Sequence, residues 1–311
     1  MNLMQNPERN TTDAYPTRLP EETWSERHDR TVWSQWRPDA PLTAQQADSF
    51  ERNGFLVLEN LFTPEEVKAL QAEAKGLREG GRTLMQDTVI TEPDSDDAVR
   101  TIFKLPEQSV IFDRLARDRR LAGIARFLLG DEVYIHQSRL NYKPGFTGKE
   151  FYWHSDFETW HAEDGMPRMR AVSASLLLTD NDPNNGALML MPGSHKTFIG
   201  CAGETPDDNH KTSLKAQEVG TPSHEALSRL ARENGIESAT GPAGTLVLFD
   251  CNTMHGSNSN ITPFARSNAF FVFNAVSNAL RDPYAASKPR PDFLAARGEA
   301  LPLEIASGPL A

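Results

Sequence analysis

The sequence is poor in cysteine, in positive charge and in long apolar runs. Its two cysteines, Cys201 and Cys251, cannot form a disulfide framework, which favours reduced thiols and a cytoplasmic location. The formal net charge of -11 argues against nucleic-acid partners, because such surfaces need clustered lysine and arginine. No run of about 18 apolar residues occurs, so we expect neither a transmembrane helix nor a membrane partner. Residues 1–30 lack the apolar centre of a signal peptide.

The first 41 residues differ in composition from the rest of the chain. They are polar, contain proline and carry Trp24, Trp33 and Trp36. We interpret residues 1–41 as an extended arm that packs its tryptophans on the body or on a partner subunit. The remaining residues, 42–311, are of a length that one large domain can accommodate, and we predict a single domain.

Two capping boxes predict helices early in the chain. Each is a threonine followed three residues later by a glutamine or glutamate, the spacing of a helix N-terminus. The pairs are Thr43 with Gln46 and Thr63 with Glu66. Glycines are predicted to end these helices, at Gly54 and at Gly80-Gly81. The other early elements predicted are a strand at 55–58, an acidic loop at 87–98 and a helical stretch at 108–129.

From residue 133 onward the sequence is typical of short strands separated by turns. The predicted strands are 133–142, 151–156, 171–179, 187–191, 245–250 and 268–276. Several short strands of this kind indicate a sandwich or barrel. Residues 201–240 form a polar insertion with one helix, capped by Ser223 and ended by Gly235, and are a candidate lid. The segment from Asp282 onward is expected to wrap the surface.

A candidate metal site begins at residues 151–156. On a strand, His154 and Asp156 would share a face, and a pair with open coordination positions suits non-haem Fe(II). His255, which follows the strand at 245–250 in a turn of small residues, is the candidate third ligand. A His-x-Asp pair alone is weak evidence, because it arises by chance. We expect His195 to be an exposed turn residue rather than a ligand, and Cys251 to be a buried small side chain rather than a metal neighbour.

Arg266 opens the strand that follows His255. By strand parity it shares a face with Asn268 and Phe270, and a buried arginine is costly unless it meets an anion. Its planar fork suits a carboxylate such as the distal one of 2-oxoglutarate, to which Ser257 can add a hydroxyl. Alone, Arg266 would be interpreted as a surface arginine beside a loop; together with the three candidate ligands, it favours an oxygenase.

The first predicted strand carries polar side chains on one face. Gln137, Arg139 and Asn141 alternate there, so this face either meets solvent or lines a polar pocket. The opposite face is no more apolar, and the residues leave the choice open.

The motifs resemble a known family. His154-x-Asp156, His255 and Arg266 look like the iron and 2-oxoglutarate sites of the phytanoyl-CoA dioxygenase-like superfamily, and residues 185–196 are similar to its strand and turn. Within that superfamily, residues 151–167 closely resemble the signature of the ectoine hydroxylases, which is far longer than a ligand triad. The resemblance extends from about residue 42 to about residue 280.

The resemblance implies a mainly β fold with surrounding helices and a double-stranded β-helix (jelly-roll, cupin-like) core. It implies Fe(II) held by His154, Asp156 and His255, with 2-oxoglutarate and O2 as co-substrates. It also implies hydroxylation of ectoine at ring carbon 5, release of succinate and CO2, and a homodimer. The 2-oxoglutarate contacts would come from Arg266, Ser257, Asn141 and Phe151. The substrate contacts would come from Gln137, Arg139, Thr159, Trp160, Ser173, Phe249 and Phe270.

The chemistry of ectoine agrees with this set. Its amidinium cation suits the aromatic faces of Trp160, Phe249 and Phe270, each contact contributing roughly 0.5–2 kcal/mol when desolvated. Its carboxylate suits Arg139 or Gln137. Core packing is the alternative role for the phenylalanines. Alternative functions are a related dioxygenase acting on another small zwitterion, such as a proline-like amino acid, and a non-catalytic jelly-roll module that binds a ligand. A zinc hydrolase is disfavoured, since no general-base carboxylate is recognisable beside the triad.

Overall fold

Antiparallel strands and a smaller number of helices make up the protein. The computed structural model describes residues 13–80, 86–93, 98–214 and 218–310. The strands are Thr23–Glu26 (β1), Phe55–Leu58 (β2), Val89–Thr91 (β3), Val99–Phe103 (β4), Val133–Lys143 (β5), Phe151–His154 (β6), Ala171–Leu177 (β7), Leu188–Leu190 (β8), Thr197–Gly200 (β9), Glu237–Ala239 (β10), Leu246–Asp250 (β11), His255–Ser257 (β12) and Arg266–Ala275 (β13). The α-helices are Ala44–Asn53 (α1), Pro64–Arg78 (α2), Leu105–Gln108 (α3), Val110–Arg117 (α4), Ile124–Leu129 (α5), Asp156–Thr159 (α6), His210–Ser213 (α7) and His224–Asn234 (α8).

Two sheets face each other. The larger has the order β2-β11-β7-β13-β5-β4-β3, and the smaller has the order β10-β8-β12-β6. All strand pairings within the two sheets are antiparallel. A third pair, β1 with β9, is made by the first strand and the segment after β8. The predicted jelly-roll core with surrounding helices is confirmed.

Alternation along the strands separates two apolar layers. In β13, Phe271 and Phe273 pack into the main core with the α-helices, whereas Phe270 faces the smaller sheet. Residues of α2, α4 and α5, such as Leu70 and Leu115, complete the outer layer. Between the two sheets, the smaller apolar layer adjoins a cavity lined by polar side chains of β5, β6, β12 and β13.

The local helix signals were predictive. Both capping boxes form: Thr43 and Thr63 each accept a backbone N–H three residues on, and Gln46 and Glu66 accept in return. Gly54 ends α1 in the left-handed region, at φ 79°. Within the described part of the chain, no helix is long and apolar enough to cross a membrane.

Three predicted elements need correction. The predicted strand 151–156 ends at His154, and Asp156 already belongs to α6. The predicted helical stretch 108–129 is interrupted by a π-helical turn at Arg119–Gly123. The predicted loop 87–98 contains β3, which pairs with β4, while residues 94–97 lie outside the described part.

Residues 13–41 of the predicted arm pack against the body. β1 pairs with β9 along its length, and the two terminal guanidinium nitrogens of Arg27 donate to the Asp250 carboxylate at 2.6 and 2.9 Å. The ring of Trp33 lies under Arg170, whose guanidinium carbon is 4.2 Å from the ring centroid. Trp36, in contrast, is 45% exposed. The expected packing on the body therefore holds for Trp33, while Trp36 stays a predicted contact for a partner subunit.

The segment after Asp282 wraps the body, as predicted. Backbone hydrogen bonds join Ala296 to His136 at 2.9 Å and Leu303 to Val133 at 2.8 Å. Segments near both ends of the chain meet at one residue. The Nε2 atom of His161 lies 2.9 Å from Asp13 Oδ1, and its ring stacks on Tyr284 with centroids 3.9 Å apart.

Candidate metal centre and ligand cavity

His154 and His255 are brought together by strand pairing. They are directly opposed residues of the antiparallel strands β6 and β12, and their ring centroids lie 4.3 Å apart. His255 is buried, since β12 is the inner strand between β8 and β6. The two imidazoles therefore enter the space between the sheets from the smaller sheet.

Asp156 reaches the same point by a different route from the one that strand parity predicted. After β6 the chain has an extended residue, Ser155, and then turns into α6, of which Asp156 is the first residue. Its Oδ1 lies 3.6 Å from His154 Nε2, and its Oδ2 lies 3.9 Å from His255 Nε2. The ligand atoms of the three residues all lie within 4.8 Å of one another.

The protonation states of these groups fit a divalent metal. The Nδ1 atom of His154 meets the carbonyl oxygen of Tyr152 at 2.7 Å, and that of His255 meets the carbonyl oxygen of Thr253 at 2.9 Å. A carbonyl only accepts, so each Nδ1 is the protonated nitrogen, and each Nε2 keeps its lone pair for a metal.

The electrostatics point the same way. Burial, and then repulsion from His154, lowers the pKa of His255 to about 4, which keeps the imidazole neutral. Burial alone would raise the pKa of the Asp156 carboxyl, but His255, His154 and Arg139 hold it below its ordinary value. Two imidazole Nε2 atoms and one carboxylate, with space beside them, are the donor set of mononuclear non-haem Fe(II) sites. Within the described part of the chain, this is the one such cluster of potential metal ligands.

A cavity opens beside the three ligands, between the two sheets. It is lined by most of the residues that the sequence singled out: Gln137, Arg139, Asn141, Phe151, His154, Asp156, Thr159, Trp160, His255, Ser257, Arg266 and Phe270. The polar face of β5 thus lines a pocket, which settles the choice that the sequence left open. Two predicted contacts lie behind the ligands instead. Ser173 Oγ is 3.5 Å from Asp156 Oδ2, and the ring of Phe249 is 4.8 Å from that of His255.

One end of the cavity is a corner rich in positive charge. Arg266 is 2% exposed and lies directly opposite Lys143 in the β13–β5 ladder. Lys143 Nζ donates to Ser257 Oγ at 2.9 Å, and the guanidinium carbon of Arg100 lies 3.8 Å above the ring of Phe151. Burial, followed by repulsion from Arg266 and Arg100, lowers the pKa of Lys143 to about 6.

The positive charges of this corner favour binding of an anion. Burial and then Arg100 lower the pKa of Arg266 to about 10. Arg100 has a counter-charge in Glu92, at 2.9 Å, but Arg266 and Lys143 bind only neutral oxygens among their hydrogen bonds to described residues. A bound carboxylate would offset the repulsion and restore both charges.

The other end of the cavity combines a cation with aromatic rings. The Arg139 guanidinium carbon lies 4.8 Å from the centroid of Phe270, and Arg139 also donates to Gln137. Trp160 is 2% exposed, with its ring supported by His136 at 5.0 Å. The Oγ1 of Thr159 is buried and finds no hydrogen-bond partner among the described residues, so it is free to bind a ligand.

Several residues of the cavity wall were not predicted from the sequence. The insertion supplies Asn209, Ser213, Leu214 and Val219, the C-terminal segment supplies Arg290 and Leu294, and the remaining wall includes Thr101, Phe103 and Glu163. Sequence reasoning also missed two charged residues of the cationic corner: Lys143, the last residue of β5, and Arg100, the second residue of β4. His195, predicted to be exposed, is fully buried, and its Nε2 lies 3.2 Å from the Glu51 carbonyl oxygen.

A jelly roll with two histidines and one carboxylate beside a cationic corner defines a mononuclear iron dioxygenase that uses 2-oxoglutarate. The phytanoyl-CoA dioxygenase (PhyH) family model matches residues 50–268. The chain belongs to this family. The resemblance drawn from the motifs is thereby confirmed.

Similar proteins extend over nearly the whole chain. The ectoine dioxygenase of Sphingopyxis alaskensis is 57% identical over 96% of this chain and 97% of its own length. That of Stutzerimonas stutzeri is 53% identical over 94% of this chain and 97% of its own. The crystal structure of EctD from S. alaskensis with 2-oxoglutarate and 5-hydroxyectoine matches with a TM-score of 0.89 and 53% identity, over 96% of this chain and 100% of that one. The same protein with bound Fe matches with a TM-score of 0.88.

Proposed function

We propose that the protein is an Fe(II)- and 2-oxoglutarate-dependent dioxygenase that hydroxylates ectoine to 5-hydroxyectoine, releasing succinate and CO2. The observation that carries this function is one cavity with three parts. His154, Asp156 and His255 lie in its wall, the Arg266 corner lies at one end, and Arg139 with Trp160 lies at the other. The similarity to an EctD structure that holds 2-oxoglutarate and 5-hydroxyectoine supports the choice of substrate.

The metal would be held by His154, Asp156 and His255. Bound Fe(II) supplies the activation of O2 that couples decarboxylation of 2-oxoglutarate to hydroxylation of the substrate. The backbone carbonyls of Tyr152 and Thr253 fix the two imidazoles in the ligating tautomer. Ser173 and Phe249, which contact Asp156 and His255 respectively, are proposed to support the ligands from behind rather than to touch the substrate.

The co-substrate would lie between the metal ligands and the cationic corner. Arg266 binds its distal carboxylate with a planar fork, and Lys143 and Ser257 lie beside that position. Asn141 and Phe151 line the intervening wall. Because the corner is buried, its positive charges act at low dielectric. They therefore attract the co-substrate carboxylate more strongly than exposed charges would.

Ectoine would occupy the opposite end. Arg139 and Gln137 bind its carboxylate, while Trp160 and Phe270 present aromatic faces to its amidinium cation. The hydroxyl of Thr159, which has no hydrogen-bond partner among the described residues, supplies a further hydrogen bond. With both charged ends fixed, the ring would be held in one orientation beside His154, Asp156 and His255, and water would be excluded from it.

The deciding experiment is a coupled product assay. Anaerobically purified protein is given Fe(II), 2-oxoglutarate, O2 and ectoine, and both succinate and 5-hydroxyectoine are quantified. We expect equal amounts of the two products. Formation of succinate with proline-like amino acids but not with ectoine would establish the related dioxygenase instead. Ligand binding without any turnover would establish the non-catalytic module.

We also propose a cytoplasmic homodimer in which residues 42–311 form the catalytic domain and residues 1–41 form an arm. Both cysteines are buried free thiols, which agrees with a reducing compartment. Large apolar side chains are exposed together at Phe146, Ile261 and Phe264, where the Phe146 amide binds the Thr262 carbonyl at 2.9 Å. Light scattering on the purified chain gives its mass directly, and a monomer would refute the dimer.

A further inference from the structure

Arg18, in the arm, is a buried cation with an unusual set of partners. Its side chain is 1% exposed. Its Nε and Nη2 atoms donate to the two carboxylate oxygens of Glu158 at 2.7 and 2.9 Å, a fork-to-fork arrangement. Nη2 also donates to Glu163 Oε1 at 3.2 Å. One guanidinium thus holds two buried carboxylates that are five positions apart in the chain.

Those two carboxylates flank the substrate end of the cavity. Glu158 immediately precedes Thr159 and Trp160, and Glu163 follows them in the adjoining π-helical turn and itself lines the cavity. Arg18 therefore holds both ends of the turn that presents Thr159 and Trp160 to the ligand.

The same guanidinium contacts the insertion that forms another part of the wall. Arg18 Nη1 donates to Thr205 Oγ1 at 3.1 Å, and Asn209, which lines the cavity, donates to Glu163 at 2.8 Å. Gly220 lies so close that an added Cβ would be 2.6 Å from Arg18 Nη2 and 2.5 Å from Glu158 Oε2. The Arg18–Glu158 pair is thus enclosed between the arm, the site turn and the insertion.

The backbone at Arg18 is itself held in an uncommon conformation. Its φ is 57°, in the left-handed region that residues other than glycine rarely adopt, and its amide donates to the Cys201 carbonyl at 2.8 Å. The hydroxyl of the preceding Thr17 donates to Glu158 at 2.6 Å. Burial opposes the charged guanidinium, but Glu158 and Glu163 raise the pKa of Arg18, so it stays charged. Strain and buried charge are both retained at this one residue.

We propose that Arg18 is a positioning residue for ectoine: through Glu158 and Glu163 it fixes Thr159, Trp160 and the insertion wall at the substrate end of the cavity. This inference rests on the proposed function. It predicts a selective effect on ectoine, because the hydrogen bonds of the Arg18 side chain to described residues go to Glu158, Glu163 and Thr205 and not to the Arg266 corner or the three metal ligands.

The test is a kinetic comparison of full-length Arg18→Ala and Arg18→Lys with the wild type. Displacement of the wall by about 1 Å is expected to raise the KM for ectoine by about 10- to 100-fold in Arg18→Ala, while the KM for 2-oxoglutarate stays within about twofold. Succinate formation should exceed 5-hydroxyectoine formation, because a loosely held substrate uncouples the two. Lysine keeps the charge and loses the fork, so Arg18→Lys should recover part of the affinity.

Arg120→Ala is the matched control, since it breaks another multidentate ion pair, partly buried, with Glu66 at 2.8 Å, at residues outside the cavity wall. It should lower the unfolding temperature without changing the ratio of the two KM values.

An unchanged KM for ectoine in folded Arg18→Ala, or an equal rise in both KM values, would overturn the inference. If Arg18→Ala does not fold, Glu158→Gln decides, because it keeps the shape and removes one charge: a wild-type KM for ectoine there overturns the inference, and a selective rise supports it. Lack of ectoine turnover by the wild type is a separate result that refutes the proposed function.

Discussion

His154 and His255 face each other as directly opposed residues of two antiparallel strands, with ring centroids 4.3 Å apart. Their separation is therefore set by backbone hydrogen bonding rather than by flexible loops. A slip of one residue in the β6–β12 register would turn one imidazole to the other face of the sheet. The metal centre thus depends on the register of the smaller sheet, and β8 fixes that register from the other side by pairing with β12.

Removing the carboxylate should abolish the metal site. In Asp156→Ala, we expect iron retention and succinate formation to fall by more than about 100-fold. This exceeds the loss typical when a residue that only hydrogen-bonds to a metal ligand is removed. The check is iron content by elemental analysis together with the succinate assay. Asp39→Ala, which removes an exposed carboxylate, should leave both unchanged. Full activity in Asp156→Ala would remove Asp156 from the ligand set.

Arg266→Gln should weaken 2-oxoglutarate binding selectively. Loss of one partner from a buried charge pair is expected to raise the KM for 2-oxoglutarate by about 100-fold or more, with a much smaller effect on the KM for ectoine. Titration of each substrate at saturation of the other measures this. Arg126→Gln is the control, because that side chain is 51% exposed. Equal effects on both KM values would contradict the assignment of the corner to the co-substrate.

Trp160→Phe should weaken ectoine binding while preserving the fold. A phenyl ring is a poorer cation partner than indole, and we expect the KM for ectoine to rise by about two- to tenfold. Trp36→Phe is a matched change at a residue that is 45% exposed, and it should have no effect. Calorimetric titration with ectoine provides a check independent of turnover. Unchanged affinity would place the cation elsewhere.

Much of the local structure could be predicted from sequence because its signals are local. The capping boxes at Thr43 and Thr63 and the left-handed Gly54 each act within one turn of chain. The bounds of β5 were predicted to within one residue. Its polar face was predicted either to meet solvent or to line a polar pocket. What the sequence could not provide is which face meets solvent, since that depends on a partner sheet.

The site was harder to predict where distant segments complete it. Arg290 and Leu294 come from a proline-rich segment with no strand or helix signal, and Arg18 comes from a polar arm. Lys143 precedes a proline and a glycine, a context typical of an exposed turn, yet it is 1% exposed. A charged side chain carries no local mark of burial, because only the tertiary structure supplies its neighbours. His195 was misjudged for the same reason.

The Glu66–Arg120 pair predicts a defined acid sensitivity. Hydrogen bonds from Arg120 lower the pKa of the Glu66 carboxyl from 4.5 to about 2. The folded-state pKa is depressed, so the stabilisation is complete above about pH 4.5 and is lost as the pH falls through about 2. Glu66→Gln should therefore lower the free energy of unfolding by about 1.5–3 kcal/mol near neutrality.

Urea unfolding at several pH values measures this difference. The difference in unfolding free energy should shrink steadily as the pH falls below about 4.5. The wild type then loses the stabilisation from the ionised Glu66 carboxylate, which the variant lacks at every pH. Glu65→Gln alters an exposed neighbour in the same helical turn and should show no such dependence. A difference between wild type and Glu66→Gln that does not vary with pH would contradict the charge-based explanation.

The meeting of Asp13, His161 and Tyr284 has a consequence for biosynthesis. A ribosome delivers the chain from its N-terminus, so the arm and both sheets emerge before the residues that stack on His161 or close the cavity. Before the segment with Arg290 and Leu294 docks, the cavity lacks part of its wall. Closure of the substrate chamber thus requires docking of the segment after Asp282, a step that follows synthesis of both sheets.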